Sequence, residues 1–324
     1  MLGETFKNFS VHFVTPNPTG VFHRGEMVSG EMRFELSDEV KIQKITMTVK
    51  GKVKVHWTTE SRSEEHRRTH YHTGKVVLFE MERVVLQPHV GADELVLQPG
   101  LHVYPFCCPL PQGDFPSTFE GFYGKISYAV ITGIHRAWHM EKTFTSEFKF
   151  ERWVNIGIPE LLLPLSASNR KNLVCFCCVS GEVSIDAHMD RKGYIPGETI
   201  KITAEFTNGT SRSFEPKAEL NQTVTYYTNG RGHHKREYRT LYSTRGQTLG
   251  PHTSDARHDL TLTIPSDADM TLEDCDILTI EYKVQVSLKV GVCPALKVLF
   301  PIVIGNYRPP PLEVFQPPSY NAVF

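Results

Sequence analysis

The sequence lacks a long apolar run. Its most apolar stretch, IGIPELLLPLSA, is short and broken by Pro159 and Pro164, while the opening MLGETFKNFSVHF has no signal-type apolar core behind a basic start. Neither a membrane span nor a secretory leader is expected. Excess charge is missing as well: 36 acidic residues nearly cancel 35 basic ones, so the total calls for no nucleic acid and no strongly acidic ligand. Local patches are a separate question. Paired cysteines are scarce, because the seven present are an odd number and partly neighbours, Cys107 with Cys108 and Cys177 with Cys178. That is a poor disulfide framework and points to a reducing, cytosolic compartment. Long helical periodicity is absent, and so are a nucleophile elbow, a phosphate loop, a zinc-protease helix and paired metal-ligand spacing. No enzyme activity and no cofactor are expected; a hydrolytic constellation would need tertiary convergence of residues such as Asp186, Asp190 and Asp255.

What is present is alternation. EMVSGEMRFEL, IQKITMTVKGKVKVHW, GKISYAVITGIHRAW, GEVSIDAHM, ETIKITAEF, DLTLTIP and DILTIEYKVQVSLKV exchange apolar and polar residues at a period near two, and are rich in Val, Ile, Thr and Tyr. With 40% hydrophobic and 22% charged residues, the chain has enough apolar material for a substantial core. SRSEEHRRTHYH is charged on all sides and is expected to be a hairpin loop or a frayed extension. A repeat turns this pattern into architecture. VFHRGEMVSGEMRF is echoed by GYIPGETIKITAEF, pairing Gly25 with Gly197, Glu26 with Glu198 and Phe34 with Phe206 at a constant offset, since 197 − 25, 198 − 26 and 206 − 34 all equal 172. A unit this long, occurring twice, means duplicated domains. The fold class is therefore all-β, two tandem immunoglobulin-type β-sandwiches followed by a short proline-rich tail. The expected divisions are 1–160, 161–306 and 307–324, with the boundary in the proline- and serine-bearing stretch near 159–173. In each glycine-glutamate turn the glycine permits positive φ and the glutamate restarts the polar phase of the next strand.

Candidate chemistry is sparse. His66, His70 and His72, with His233 and His234, are expected on solvated hairpin loops, because zinc needs three or four converging groups and no cysteine is near. The CFCC run at Cys175, Cys177 and Cys178 leaves two main readings, a small buried set or thiols that accept acyl chains, with redox or metal roles behind them. Sequons at Asn8, Asn208 and Asn221 are expected to be unmodified surface or turn residues. On KVKVH, alternation puts Lys52, Lys54 and His56 on one strand face, a membrane or anion contact if the face is exposed as a unit and a solvated strand otherwise.

The end of the chain breaks the pattern. After LKVLFPIVIGNY, expected as the final buried strand, RPPPLEVFQPPSYNAVF cannot form helix or central strand and is biased toward an extended left-handed conformation. Pro317, Pro318 and Tyr320 meet the specification of a WW-domain ligand, in which proline rings enter an aromatic groove and the tyrosine fills the adjoining pocket. Arg308 to Leu312, without a tyrosine, is a weaker match and is expected to act as a spacer.

FVTPNPTGVFHRGEMVSGEMRFEL, VKGKVKVHWTTE, PFCCPLP, GKISYAVIT, RKGYIPGETIKITAEFTN, LEDCDILTIEYKVQVSL, FPIVIGNY and PPSYNAVF together resemble the α-arrestins, the arrestin-domain-containing proteins. The resemblance covers essentially the whole chain. It implies arrestin-like N- and C-lobes acting as a cytosolic adaptor that recruits Nedd4-type HECT ubiquitin ligases to membrane receptors or transporters. Ubiquitination, endocytosis and transport of the cargo would follow, with the protein moving from cytoplasm to plasma membrane, endosomes or vesicles. Pro317, Pro318 and Tyr320 would be the ligase-recruiting positions. This chain departs from the family in carrying one such motif on a short tail, and in offering His252 within LGPHTSDARHDL near the place where the thioredoxin-binding member has a reactive cysteine. The alternative within the resemblance is a ligase-independent sorting scaffold of the retromer-associated arrestin fold.

Overall fold

The computed structural model describes residues 5–15, 17–62, 67–175, 179–290 and 293–309. The first half contains β1 (Phe6–Val14), β2 (Val21–Phe22), β3 (Met27–Leu36), β4 (Val40–Ile42), β5 (Lys44–Arg62) and β6 (Arg67–Leu86). It continues with β7 (Leu95–Leu97), β8 (Gly100–Pro109), β9 (Phe119–Glu120), β10 (Gly124–His135) and β11 (Lys142–Phe150). A short helix, α1 (Pro159–Leu162), precedes β12 (Leu165–Cys175), β13 (Val179–Met189), β14 (Gly193–Tyr194), β15 (Thr199–Asn208) and β16 (Glu215–Tyr227). The remaining strands are β17 (His234–Arg245), β18 (Thr253–Thr263), β19 (Leu278–Val290) and β20 (Cys293–Ile304).

Each half forms a pair of main sheets, and the first half adds a small antiparallel sheet of β4 and β7. In the first, β1-β3-β8 lies with β2-β11-β10-β5-β6, to which β9 adds beside β10; in the second, β12-β13-β15-β18 lies with β14-β20-β19-β16-β17. The two larger orders correspond strand for strand. The duplication is exact in residue numbers where it is densest: 199 − 27 and 208 − 36 both equal 172 for β15 against β3, as do 193 − 21 and 194 − 22 for β14 against β2. Both short strands pair in parallel with the last strand of their own half, Phe22 with Phe150 and Tyr194 with Ile304. The alternation that predicted β3 and β15 is also their burial: Met32, Phe34 and Leu36 in one, Ile202, Ala204 and Phe206 in the other, point inward. Large rings complete the interiors, including Phe22 and Tyr128 in the first half and Tyr194, Tyr282 and Phe300 in the second. The chain divides into two compact units, Met1–Trp153 with Glu219–Ser243 and Asp269–Val284, and Val154–Ala218 with Thr244–Ala268 and Gln285–Phe324.

The glycine-glutamate turns carry more than the sequence suggests. Gly25 and Gly197 have φ of 75° and 88°, the left-handed region that glycine enters without a Cβ penalty. The glutamates, expected only to restart polarity, fold back on the turn: the His23 N–H donates to Glu26 Oε2 at 2.7 Å and the Ile195 N–H to Glu198 Oε2 at 2.9 Å. Each carboxylate thus satisfies a backbone donor that the turn would otherwise leave open.

Two expectations need correction. SRSEEHRRTHYH is mostly paired strand, with β5 and β6 in register from His56 opposite Thr73 out to Arg62 opposite Arg67; residues 63–66 lie outside the described ones. It needs no apolar face because cross-strand polar pairs join it, including Glu60 to Arg67, Ser61 Oγ to His70 Nε2 at 3.0 Å and Thr59 Oγ1 to His72 Nε2 at 2.9 Å. Part of the polar stretch near 159–173 is strand as well, since β12 pairs along its length with β13 at the border of a sheet, where polar side chains stay solvated. Asn208 is fully buried, not a surface residue, and its side-chain amide donates to the Arg212 carbonyl at 2.7 Å and the Gly250 carbonyl at 2.6 Å. Bonded in this way it is closed to glycosylation.

Candidate functional site

The basic strand predicted around Lys52 and Lys54 becomes a basic sheet face once its neighbours are in place. β5 lies between β6 and β10, and the register sets Lys54 directly opposite Lys75 on one side and Lys125 on the other. Lys52 stands opposite Val77 and Ser127, and Lys50 opposite Glu80 and Ala129. Residues directly opposite in an antiparallel pair share a face, and alternate residues along a strand do too. Val53, Val55 and Ile126 point the other way, into the core. Some of the charge is matched: Lys50 Nζ meets Glu80 at 2.7 Å, and Lys125 Nζ meets Glu147 at 2.8 Å and Glu120 at 3.9 Å. Among the described residues, Lys52, Lys54 and Lys75 have no carboxylate within ion-pair distance. Partial burial, then the charges of Lys54, Lys50 and Lys125, hold the Lys52 amine below its usual range, with Glu147 alone opposing them. The backbone under Lys75 is pinned by Asn229, whose Oδ1 accepts the Lys75 N–H at 2.9 Å and whose Nδ2 donates to the Lys75 carbonyl at 3.1 Å.

A second construction holds the segment that leads into the tail. Tyr307 bridges to Asn155, the Ile156 N–H donates to the Tyr307 carbonyl at 2.8 Å, and the Val154 N–H donates to Asn306 Oδ1 at 2.8 Å. Arg308 then grips Glu198 with two nitrogens, Nη1 to Oε1 at 3.0 Å and Nη2 to Oε2 at 3.2 Å. Arg191 Nη2 adds a bond to Glu198 at 3.2 Å. Burial alone pushes the Glu198 carboxyl up, but the Ile195 N–H, Arg308 and Arg191 outweigh it and hold the group below the ordinary carboxylate range. Pro309 packs beside Gly157, where a Cβ would collide with its ring. Pro317, Pro318 and Tyr320 lie outside the described residues.

The remaining candidates separate. Cys175 closes β12 opposite Val179; the side chain of Cys175, with Cys177 and Cys178, lies outside what is described. Cys107 and Cys108 are free and follow strand alternation, one exposed and one buried. The histidines come closer together than a loop reading allows: the His72 ring lies 4.8 Å from that of His233 and is stacked 5.2 Å from Trp57. Desolvation, then the neighbouring His233 and His70, keep His72 below the ordinary imidazole range. No group of three or more His, Cys, Asp or Glu suited to a metal ion occurs among the described residues. Reasoning from sequence missed Lys75, Lys125 and Arg308. The lysines become relevant only through strand register, which on β6 includes an extra residue at Leu78; the turn glutamate was visible as a repeat, but not as the anchor of Arg308.

Among the described residues no helix is long and apolar enough to cross a membrane. Residues 9–156 match the family model described as "Arrestin (or S-antigen), N-terminal domain", and residues 179–309 the one described as "Arrestin (or S-antigen), C-terminal domain". The chain is similar to human arrestin domain-containing protein 4, with 30% identity over 289 residues that cover 89% of this chain and 68% of the relative. It is also similar to mouse thioredoxin-interacting protein, 29% identical over 305 residues, covering 94% of this chain and 74% of that protein. With matching sheet orders in its two halves, both domain models in sequence and relatives matched over most of its length, the chain belongs to the arrestin-domain-containing family.

Proposed function

We propose that the chain is a cytosolic adaptor whose sandwiches engage cytosolic regions of membrane receptors or transporters while its tail recruits Nedd4-type HECT ubiquitin ligases. Its fold is a non-catalytic scaffold, so the mechanism is positioning. Pro317 and Pro318 enter the aromatic groove of a WW domain and Tyr320 its neighbouring pocket, which brings the ligase to cargo held by the lobes. Ubiquitination, endocytosis and transport of the cargo follow, with the adaptor recruited to plasma membrane, endosomes or other vesicles.

The observation that carries this reading is the distance between an anchor and a motif. Arg308 and Pro309 are held against the second unit, and Pro317 follows 317 − 309 = 8 residues later. Eight residues span at most about 28 Å, so a bound WW domain is tethered close to the lobes. One short motif gives modest affinity, which the raised local concentration on cargo-bearing membranes offsets. Thioredoxin binding, stated in the name of one relative, is no part of this reading, because His252 stands near the place where the resemblance puts that member's reactive cysteine.

Calorimetry of the full chain with a Nedd4-type WW domain tests the tail. Binding is expected for the native chain and lost in Tyr320→Ala; equal affinity of the two sinks the assignment. Deleting residues 310–324 is expected to abolish cargo ubiquitination in cells, whereas unchanged ubiquitination would favour a sorting scaffold that needs no ligase.

A further inference from the structure

The lysine face of the β6-β5-β10 sheet goes beyond the adaptor reading and is independent of the tail. We propose that Lys52, Lys54 and Lys75, with Lys125 completing the row, form a docking surface for an anionic lipid bilayer. Lys75, Lys54 and Lys125 stand abreast on three adjacent strands. Neighbouring strands are ~4.8 Å apart, so the row crosses the sheet within about 10 Å. Like charges directly opposite one another destabilise a sheet, and Lys54 has a lysine on both sides. Folding stability therefore does not account for the arrangement, whereas an anionic partner relieves the repulsion.

The geometry favours a bilayer over an acidic peptide. The unpaired lysines extend both along β5, at Lys52 and Lys54, and across to Lys75 on β6. An extended peptide complements a line of charge, while a layer of headgroups complements a two-dimensional field. Exposed Tyr71 and Val77 add apolar contacts on the same face, opposite Thr58 and Lys52. Lys149 belongs to this face too, since it is two residues from Glu147 on β11 and Glu147 lies opposite Ala129. It is exposed and has no ion pair among the described residues. The acids on the face, Glu60, Glu80, Glu82, Glu120 and Glu147, are engaged by Arg67, Lys50, Lys44 and Lys125 and leave the central lysines unmatched.

Co-sedimentation of the full chain with vesicles tests the proposal, using phosphatidylcholine alone and phosphatidylcholine mixed with phosphatidylserine, at low and at physiological salt. Binding is expected only with phosphatidylserine, and it should weaken as salt rises. Each lysine near such a surface contributes about a fivefold change in affinity, so Lys52→Glu, Lys54→Glu and Lys75→Glu combined should weaken binding at least tenfold. Lys201→Glu, elsewhere on the protein, should leave it unchanged. If the triple reversal does not fold, as judged by circular dichroism, the triple Lys→Gln variant is measured in its place with the same expectation. Equal binding to both vesicle types, or undiminished binding by the folded variant, overturns the proposal. So does lysine-dependent binding of a soluble phosphoserine peptide without any binding to phosphatidylserine vesicles.

Discussion

Arg308 Nη1 lies 3.0 Å from Glu198 Oε1 and Arg308 Nη2 lies 3.2 Å from Glu198 Oε2, a two-point grip between the residue that follows Tyr307 and a turn more than a hundred residues earlier. The corresponding Glu26 in the first half accepts the same kind of backbone bond from His23. Glu198 therefore keeps the turn and fastens the chain end together. Glu198→Ala is expected to lower stability by about 2 kcal/mol, because a backbone donor and charged partners lose their acceptor in a partly buried site. Urea denaturation measures it; a loss no larger than that of an exposed surface substitution would show that the grip contributes nothing.

The same carboxylate sets a pH dependence. Its folded pKa is depressed, so the contribution is complete above the ordinary carboxylate range and is lost as pH falls through the lower folded value. Thermal melts of the native chain and Glu198→Gln should differ by a constant amount near neutral pH, and the gap should close in acid. A gap that widened in acid would contradict the assignment.

Gly25 and Gly197 share a left-handed backbone but not their surroundings. An alanine at Gly197 meets nothing within 4 Å, whereas at Gly25 its Cβ would come to 2.5 Å from Gln112 Nε2. Gly197→Ala should cost about 1 kcal/mol of strain alone, and Gly25→Ala somewhat more because Gln112 has to move. Chemical denaturation of the two variants checks the order; the reverse order would mean that the turns differ in backbone rather than in neighbours.

His72 and His233 form the next test. Since the folded pKa of His72 is lowered, the unfolded chain binds the proton more readily, and this contribution is full above the ordinary imidazole range and declines as pH falls. His233→Ala removes one opposing charge and should move the His72 titration upward. Proton NMR of the imidazole Cε1–H follows it directly, and an unmoved midpoint would leave burial and His70 as the causes.

Phosphorylation of Tyr320 adds charge and bulk where a WW pocket takes a neutral ring. A phosphorylated peptide spanning Pro317 and Tyr320 should bind a Nedd4-type WW domain at least about tenfold more weakly than the unmodified one, a difference of about 1.4 kcal/mol by calorimetry. Equal affinities would remove the tyrosine from the contact.

Alternation alone located β3, β10, β13, β15 and β19, because a half-buried strand must place apolar groups on every second residue. It failed for the outer parts of β5 and β6, where Thr59, Glu60, Ser61, Arg67 and His70 are held by cross-strand polar pairs and no face is apolar. It failed for β12 in the same way. The proposed tail motif rests on contiguous residues alone, and Pro317, Pro318 and Tyr320 lie outside the described residues. The lysine face was half legible: Lys52 and Lys54 are two residues apart, but Lys75 and Lys125 join them only after β6 and β10 have been set against β5.

The sequence by itself determined the all-β class, the duplication at an offset of 172 and the need for glycine at positions 25 and 197, since period, repeat and backbone freedom are local properties. Only the tertiary structure decided that Lys54 has a lysine on each side and that Glu198 holds Arg308. The register of a sheet and the meeting of distant turns depend on how whole surfaces pack, and no short stretch of chain contains that information.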